Sequence, residues 1–125
     1  MNCVVNGPLT IQRATAGLNV IRLDWFGRCD VRAPAAFLQP YLATILDEAR
    51  ESHASVEMHF EAILFLNSST VGVLLQFLQS ARQHRVPLRY SYEPQLRWQK
   101  LCFEALRVFE GADELVRVVP VEHRV

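Results

Sequence analysis

The sequence lacks three features: a long hydrophobic run, an excess of charge of one sign, and closely spaced cysteines. No stretch approaches the roughly 18 consecutive apolar residues that a membrane-spanning helix requires, and residues 1–8 lack the basic and apolar segments of a secretory signal. The 13 basic and 13 acidic residues give a formal net charge of zero, which argues against a partner recognised through its phosphate backbone. These absences predict no membrane insertion and no nucleic-acid partner.

The three cysteines, Cys3, Cys29 and Cys102, are odd in number and far apart in the sequence. None belongs to a CxxC motif, so their spacing does not indicate a disulfide framework. Free thiols are typical of a reducing compartment, and we therefore expect a cytoplasmic protein. Cys29 is predicted to lie in a loop, and Cys102 is predicted to be a small core residue on a helix.

No arrangement typical of catalysis or metal binding is present. The histidines, His53, His59, His84 and His123, show no HxH or HExxH spacing. No serine lies in a GxSxG motif, and no glycine-rich phosphate loop occurs. We therefore predict no metal, no cofactor and no enzyme activity. His59 lies in a predicted strand and is interpreted as a hydrogen-bonded core or edge residue.

Hydrophobic periodicity predicts one α/β domain over residues 1–125. Half of the residues are apolar and 21% are charged, which is the balance of a compact globular chain. Apolar alternation or short apolar runs predict strands at residues 9–12, 18–26, 56–60, 63–66, 88–92 and, optionally, 115–119. A 3.6-residue period predicts helices at residues 34–51, 71–84 and 94–109. Strands separated by helices imply right-handed crossovers and a mostly parallel sheet.

Two segments carry more specific expectations about packing. The apolar run from Ile63 to Leu66 suits a strand that is covered on both faces. The third helix is predicted to begin at Pro94 and to face the core with one apolar stripe, which consists of Trp98, Leu101, Cys102, Ala105, Leu106 and Phe109.

A hydroxyl-rich segment, Asn67 to Thr70, separates an apolar strand from the second helix. All four residues are good N-cap residues, so helix capping alone is one interpretation. The other is a functional surface, because the unpaired N–H groups and the positive end of the dipole at a helix N-terminus tolerate an added anion. Apolar residues flank the segment at Phe65 and from Val71 to Leu74. Helix capping alone does not require them, so their presence favours the functional interpretation.

Four segments match one known family in order. Arg22 to Asp30 contains a strand followed by G-x-x-D, Val56 to Phe60 matches a central strand, and Glu93 to Gln95 leads into the last helix. Between them, Phe65 to Leu74 is similar to the pattern F-x-D-S-S-G-h-G-h-L, in which h is apolar. On these segments the chain resembles the STAS family, the fold of anti-sigma-factor antagonists, over about residues 18–119.

The resemblance implies a four- to five-stranded mixed sheet with the helices packed mainly on one side. It also implies that Ser68 is phosphorylated by a serine kinase of the anti-sigma type and dephosphorylated by a phosphatase, with Ser69 and Thr70 as less favoured acceptors. Asn67 stands where the family has aspartate, Thr70 where it has glycine, and His59 where aspartate is frequent. The implied partner-binding residues are Asn67, Ser68, Ser69, Thr70, Val71, Gly27 and Asp30.

The function implied by the resemblance is that of a non-catalytic regulatory domain in bacterial signalling. Its partner binding would be controlled by phosphorylation of Ser68, and a homodimer is compatible with this role. The alternative is a constitutive scaffold or transporter-associated STAS domain without phosphorylation, which the departures at Asn67 and Thr70 favour. A small-ligand or nucleotide-binding module is a third interpretation, but no phosphate loop supports it.

Overall fold

Strands and helices alternate along residues 3–122, the part of the chain that the computed structural model describes. The strands are β1 (Cys3–Asn6), β2 (Leu9–Ala14), β3 (Val20–Cys29), β4 (Ser55–His59), β5 (Ile63–Leu66), β6 (Leu88–Tyr92) and β7 (Val116–Pro120). The helices are α1 (Ala35–Ser52), α2 (Ser68–Gln83) and α3 (Arg97–Leu106), and a 3-10 turn over Arg107–Phe109 continues the last of them.

The strands form one mixed sheet in the order β1-β2-β3-β4-β6-β7, with β5 paired to β3. The first three strands are antiparallel neighbours, whereas β3, β4, β6 and β7 run parallel. Strand β3 is ten residues long and pairs first with β4 and then, nearer its end, with β5. Parallel pairing requires long crossover connections, which α1, α2 and α3 provide. The predicted α/β class and mixed sheet are confirmed.

The described residues form seven strands, whereas four or five were expected. Strand β1 has only four residues, which is too short for an alternating pattern to be recognised in the sequence. The apolar segments 56–60 and 63–66 are separate strands, β4 and β5, divided by a turn at residues 61–62. The additional strands extend the predicted sheet and leave its class unchanged.

One face of the sheet carries the core, and the helices pack on it. The Tyr90 hydroxyl of β6 donates a hydrogen bond to the Leu74 carbonyl of α2 at 2.8 Å. The Tyr92 ring stacks on Phe103 of α3 with 5.4 Å between ring centroids, and α1 buries Leu42 in the same core. The predicted packing of the helices on one side is therefore confirmed. Cross-strand neighbours on this face include Ile21, Val56, Leu88 and Val116.

The opposite face of the sheet carries charged side chains. Arg22, Glu57, Arg89 and Arg117 follow one another in a row across β3, β4, β6 and β7. Arg89 lies 2.9 Å from a carboxylate oxygen of Glu57, so part of the charge in this row is neutralised within the sheet. Successive side chains of a strand point to opposite faces, which explains how β3 and β4 combine an apolar and a charged face.

The prediction that residues 63–66 are covered on both faces is wrong. Leu64 is 70% exposed and Phe65 is 46% exposed. The register between β3 and β5 shifts between Gly27 and Arg28, so β5 contains one more residue than the segment it pairs with. A bulge of this kind breaks the alternation of faces, and apolar composition alone does not reveal it.

The predicted inward stripe of the third helix is correct only in part. Helix α3 begins at Arg97, not at Pro94, and faces the core with Gln99, Phe103 and Leu106. Of the predicted stripe, Leu106 is fully buried and Trp98 and Cys102 are half-buried against the core, whereas Leu101 is 62% exposed. A ten-residue helix with apolar residues on two sides gives no periodic signal for which side meets the sheet.

Candidate functional site

The hydroxyl-rich corner, defined here as Asn67 to Thr70, connects the end of β5 to the first turn of α2. Leu66, the last residue of β5, pairs with Cys29, the last residue of β3. The backbone N–H of Asn67 then donates to the Cys29 carbonyl at 3.0 Å. Asn67 has extended backbone angles, φ −77° and ψ 168°, and is the N-cap of α2. The corner is therefore attached to the middle strand of the sheet. The prediction that Cys29 lies in a loop is wrong, since it is a buried strand residue.

Asn67 is held by hydrogen bonds from both ends of its amide group. Its Oδ1 accepts from the Thr70 backbone N–H at 2.9 Å and from the Thr70 hydroxyl at 2.6 Å. Its Nδ2 donates to the Val31 carbonyl at 2.7 Å. An aspartate at this position would accept the same two bonds but could not donate the third when ionised. The Asn67 amide thus ties the helix N-terminus to the segment that follows β3.

Thr70 is completely buried and holds the corner from inside. Besides its bond to Asn67, its hydroxyl oxygen lies 3.1 Å from the Cys29 sulfur. A hydroxyl in this position is not accessible to a modifying enzyme unless the helix N-terminus opens. The structure therefore gives Thr70 a capping role, which explains why a residue with a hydroxyl group stands at this position.

Ser68 and Ser69 are the exposed members of the corner. Ser68 is the first residue of α2, and neither serine side chain makes a hydrogen bond within the described residues 3–122. The first turn of α2 contains no acidic residue, so no carboxylate there opposes an anion at the helix N-terminus. Val71 follows and is half-buried against the core. The two serine hydroxyls are thus the groups that the corner presents to solvent.

The segment from Gly27 to Asp30, predicted to lie beside the corner, is its direct neighbour. The hydrogen bonds of Asn67 to the carbonyls of Cys29 and Val31 bring the two segments together. Gly27 has φ +83°, and a Cβ on it would lie 1.9 Å from the Pro8 carbonyl oxygen. Its glycine is therefore explained by backbone packing. Asp30 is exposed and lies 3.6 Å from the Arg28 guanidinium.

Gln99 has a structural role that the sequence did not reveal. It is completely buried, and its Nε2 donates to the carbonyls of Phe60 at 2.8 Å and Ile63 at 2.9 Å. Its Oε1 accepts from the backbone N–H of Glu93 at 2.8 Å. Gln99 thus fixes α3 to the turn between β4 and β5. A glutamine in a helix whose other face is apolar gives no sequence signal for this role.

His59 lies among carboxylates on the charged face of the sheet. Its Nδ1 is 3.4 Å from Glu61 and its Nε2 is 3.2 Å from Glu57. The neighbouring Glu61 carboxylate, assisted by the hydrogen bond to Glu57, raises the pKa of His59 despite an opposing effect of burial. Within residues 3–122, no group of three or more metal-ligating side chains is placed to hold an ion. His123 lies outside the described residues.

The comparisons with known proteins identify a shared fold. No protein-family model matches the chain, and no curated protein matches it. Among solved structures, it is similar to a chain in the crystal structure of the diguanylate cyclase SiaD in complex with its activator SiaC from Pseudomonas aeruginosa. The TM-score is 0.67 at 16% sequence identity, over 95% of this chain and 98% of that chain.

The matched chain is SiaC, the activator of that cyclase. At this identity the likeness establishes the fold alone. None of the helices within residues 3–122 has the length and hydrophobicity to cross a membrane. The chain is therefore a mixed α/β protein with the fold of a regulatory activator.

Proposed function

We propose that this chain is a non-catalytic regulatory domain of bacterial signalling that acts by binding partner proteins. Its binding surface is the hydroxyl-rich corner with the adjacent Gly27 and Asp30, and phosphorylation of Ser68 controls it. The observation that carries the proposal is that Ser68 is exposed at the N-terminus of α2, directly after a strand attached to the middle of the sheet. The resemblance to the STAS family and the regulatory character of SiaC support the same role. The residues assigned to partner contact are Asn67, Ser68, Ser69, Val71, Gly27 and Asp30, whereas Thr70, expected among them, is buried and supports the corner from inside.

A phosphate on Ser68 is compatible with the folded domain. Ser68 makes no side-chain hydrogen bond within the described residues that modification would break, and the N-terminus of α2 offers unpaired N–H groups and a positive dipole end. Thr70, in contrast, is buried and hydrogen-bonded to Asn67. We therefore assign Ser68 as the acceptor, with Ser69 as the exposed second choice and Thr70 as the least favoured.

The same phosphate would weaken a protein interface formed over the corner. A phosphoryl group adds about −1.5 to −2 charges at neutral pH. An uncompensated charge buried in an interface costs on the order of 2–5 kcal/mol. At about 1.4 kcal/mol per tenfold change in affinity, binding weakens roughly 25-fold to several thousand-fold. The switch then acts on the interface and leaves the fold of the domain unchanged.

The partners implied by this proposal are a serine kinase of the anti-sigma type and an opposing phosphatase, together with a target protein. SiaC, the activator found in complex with a diguanylate cyclase, is a precedent for this fold acting through an enzyme partner. A signalling enzyme is therefore the class of target that we propose. We place these interactions in the cytoplasm, where the three free thiols of Cys3, Cys29 and Cys102 remain reduced.

The proposal is tested by recovering the chain with its partners from the native host and mapping phosphorylated peptides. We expect phosphate on Ser68, and we expect Ser68→Asp to weaken capture of a partner that wild type and Ser68→Ala retain. Gln79→Glu is the charge control, because it adds a negative charge to an exposed position of α2 about three turns beyond the corner and is expected to retain the partner. If no residue of the corner is modified under any growth condition and Ser68→Asp binds like wild type, the switch is refuted and the constitutive scaffold is the better assignment.

A further inference from the structure

Helix α3 has a second apolar side that does not face the sheet. Phe103 and Leu106 are buried on the inner side, whereas Leu101 is 62% exposed and Val108 is 81% exposed on the outer side. The exposed apolar residues recur at steps of three and four, which places them in one line along the helix and the 3-10 turn. This outer stripe consists of the exposed Leu101, Ala105 and Val108 with Trp98, which is half-buried against the core, at its N-terminal end.

The outer stripe continues onto the sheet through β5. The Phe65 ring lies 6.4 Å from the Trp98 ring, measured between centroids, and Phe65 is 46% exposed. A contiguous apolar surface of this kind is typical of a protein–protein contact. A surface helix that packs only on its own sheet typically carries polar residues on its outer side, whereas α3 carries the outer stripe there.

The charges beside the outer stripe are arranged to complement a second copy of the same stripe. Arg97 and Glu104 are seven residues apart, so they lie on the same edge of the stripe about two helical turns from each other. Both are exposed, and neither forms an ion pair or hydrogen bond through its side chain within residues 3–122. They lie on either side of Leu101, four and three residues away from it.

Two α3 helices from separate copies, packed antiparallel about a two-fold axis near Leu101, would give both charged residues a partner of opposite charge. Arg97 of each copy then lies level with Glu104 of the other copy. The same operation places the large Trp98 side chain beside the small Ala105 of the other copy, and large residues pack well against small ones across such a contact. Interfaces of two-fold symmetry use the same patch on both copies, and this stripe is self-complementary in charge and in size.

We propose that two copies of this chain associate through the outer stripe of α3, antiparallel about a two-fold axis near Leu101. The formal net charge of zero means that no long-range repulsion opposes the association. One short helix and part of a strand form a contact at the small end of specific interfaces, so we expect a dissociation constant on the order of micromolar. This association goes beyond the proposed function because it requires neither Ser68 nor its phosphorylation.

The test is the mass of the full-length chain by sedimentation equilibrium across a wide concentration range. Wild type is expected to shift from monomer to dimer, and Leu101→Glu is expected to weaken the dimer at least about tenfold, because the two introduced carboxylates meet at the axis. Leu18→Glu is the matched control, since Leu18 is 94% exposed in a loop far along the chain from α3 and its substitution leaves the dimer unchanged. Circular dichroism verifies that each variant is folded.

A charge-reversal series tests the antiparallel arrangement directly. Arg97→Glu and Glu104→Arg are each expected to weaken the dimer, and the double variant is expected to restore it, because the reversed charges again meet in opposite signs. A wild-type chain that remains monomeric up to ~1 mM overturns the proposal, as does a dimer that Leu101→Glu leaves intact. A double variant weaker than both single variants also overturns it. Ser68→Ala is expected to dimerise like wild type, so the result of the dimerisation experiment does not depend on the result of the phosphorylation experiment.

Discussion

Replacing Asn67 tests whether the corner depends on a single amide group. Asn67→Ala removes the N-cap acceptor, which contributes about 1 kcal/mol to helix stability. It also removes the partner of the Thr70 hydroxyl at 2.6 Å and of the Val31 carbonyl at 2.7 Å. Leaving buried polar groups without partners costs ~1–3 kcal/mol each, but Thr70 keeps its contact with Cys29. Because Val31 is half-buried, water can reach it, and we expect a total loss of about 2–3 kcal/mol.

Asn67→Asp separates the two functions of the amide. The carboxylate keeps the cap bonds to Thr70 and gains ~0.3–1 kcal/mol from the helix dipole. It loses the donor to the Val31 carbonyl and places a negative oxygen near that carbonyl instead. We expect a net loss of about 1 kcal/mol, less than for Asn67→Ala. The family aspartate is therefore expected to fit this chain less well than the asparagine it carries.

Both losses are measured as the free energy of unfolding in urea, followed by circular dichroism. Ser69→Ala is the control in the same turn, and it is expected to stay within roughly 0.5 kcal/mol of wild type because Ser69 is exposed. An unchanged denaturant slope would show that the denatured state is unaffected. The reasoning is refuted if Asn67→Ala is as stable as Ser69→Ala, or if Asn67→Asp is the less stable of the two Asn67 variants.

Three further substitutions test other parts of the fold. Gln99→Met removes the side-chain donor to the Phe60 and Ile63 carbonyls and the acceptor of the Glu93 N–H, although the Phe60 carbonyl keeps the Ile63 N–H. We therefore expect a loss of about 2–3 kcal/mol in urea unfolding, and a loss no larger than that caused by substituting an exposed residue would contradict the bridging role. Gly27→Ala places a Cβ 1.9 Å from the Pro8 carbonyl at φ +83°, so we expect a loss of at least ~2 kcal/mol, seen as a lower midpoint of thermal unfolding. The raised folded-state pKa of His59 predicts that its contribution to stability is complete below about pH 6.5 and declines as pH rises through the folded value. The stability difference between wild type and His59→Gln, measured in urea from acidic to alkaline pH, should therefore shrink at high pH, and a difference that grows would contradict this assignment.

The class of the fold and the position of the corner follow from local sequence patterns. Alternation in β3 and β6, and the helical period in α1 and α2, each reflect burial on one side of an element. The corner is visible because four N-cap residues follow an apolar strand, and the strand and helix on either side of it, β5 and α2, lie where the patterns predicted them. These features are encoded by neighbours in the sequence.

The features that were missed depend on contacts between distant segments. The exposure of Leu64 follows from a register shift between β3 and β5, and no pattern within either strand encodes it. The inner side of α3 is chosen by Gln99 binding the turn after β4 and by Phe103 stacking on Tyr92. The capping role of Thr70 could not be predicted for the same reason, because it depends on Asn67 and on Cys29, which is 41 residues away in the sequence.

The pairing of β3 with three other strands affects how the corner binds another protein. Strand β3 pairs with β2, β4 and β5, and the backbone N–H of Asn67 donates to the carbonyl of its buried last residue, Cys29, so we expect the sheet to protect this N–H. Its hydrogen should exchange with solvent as slowly as those in the sheet centre. The serine hydroxyls are then presented in one fixed arrangement before any encounter, and association loses little conformational entropy.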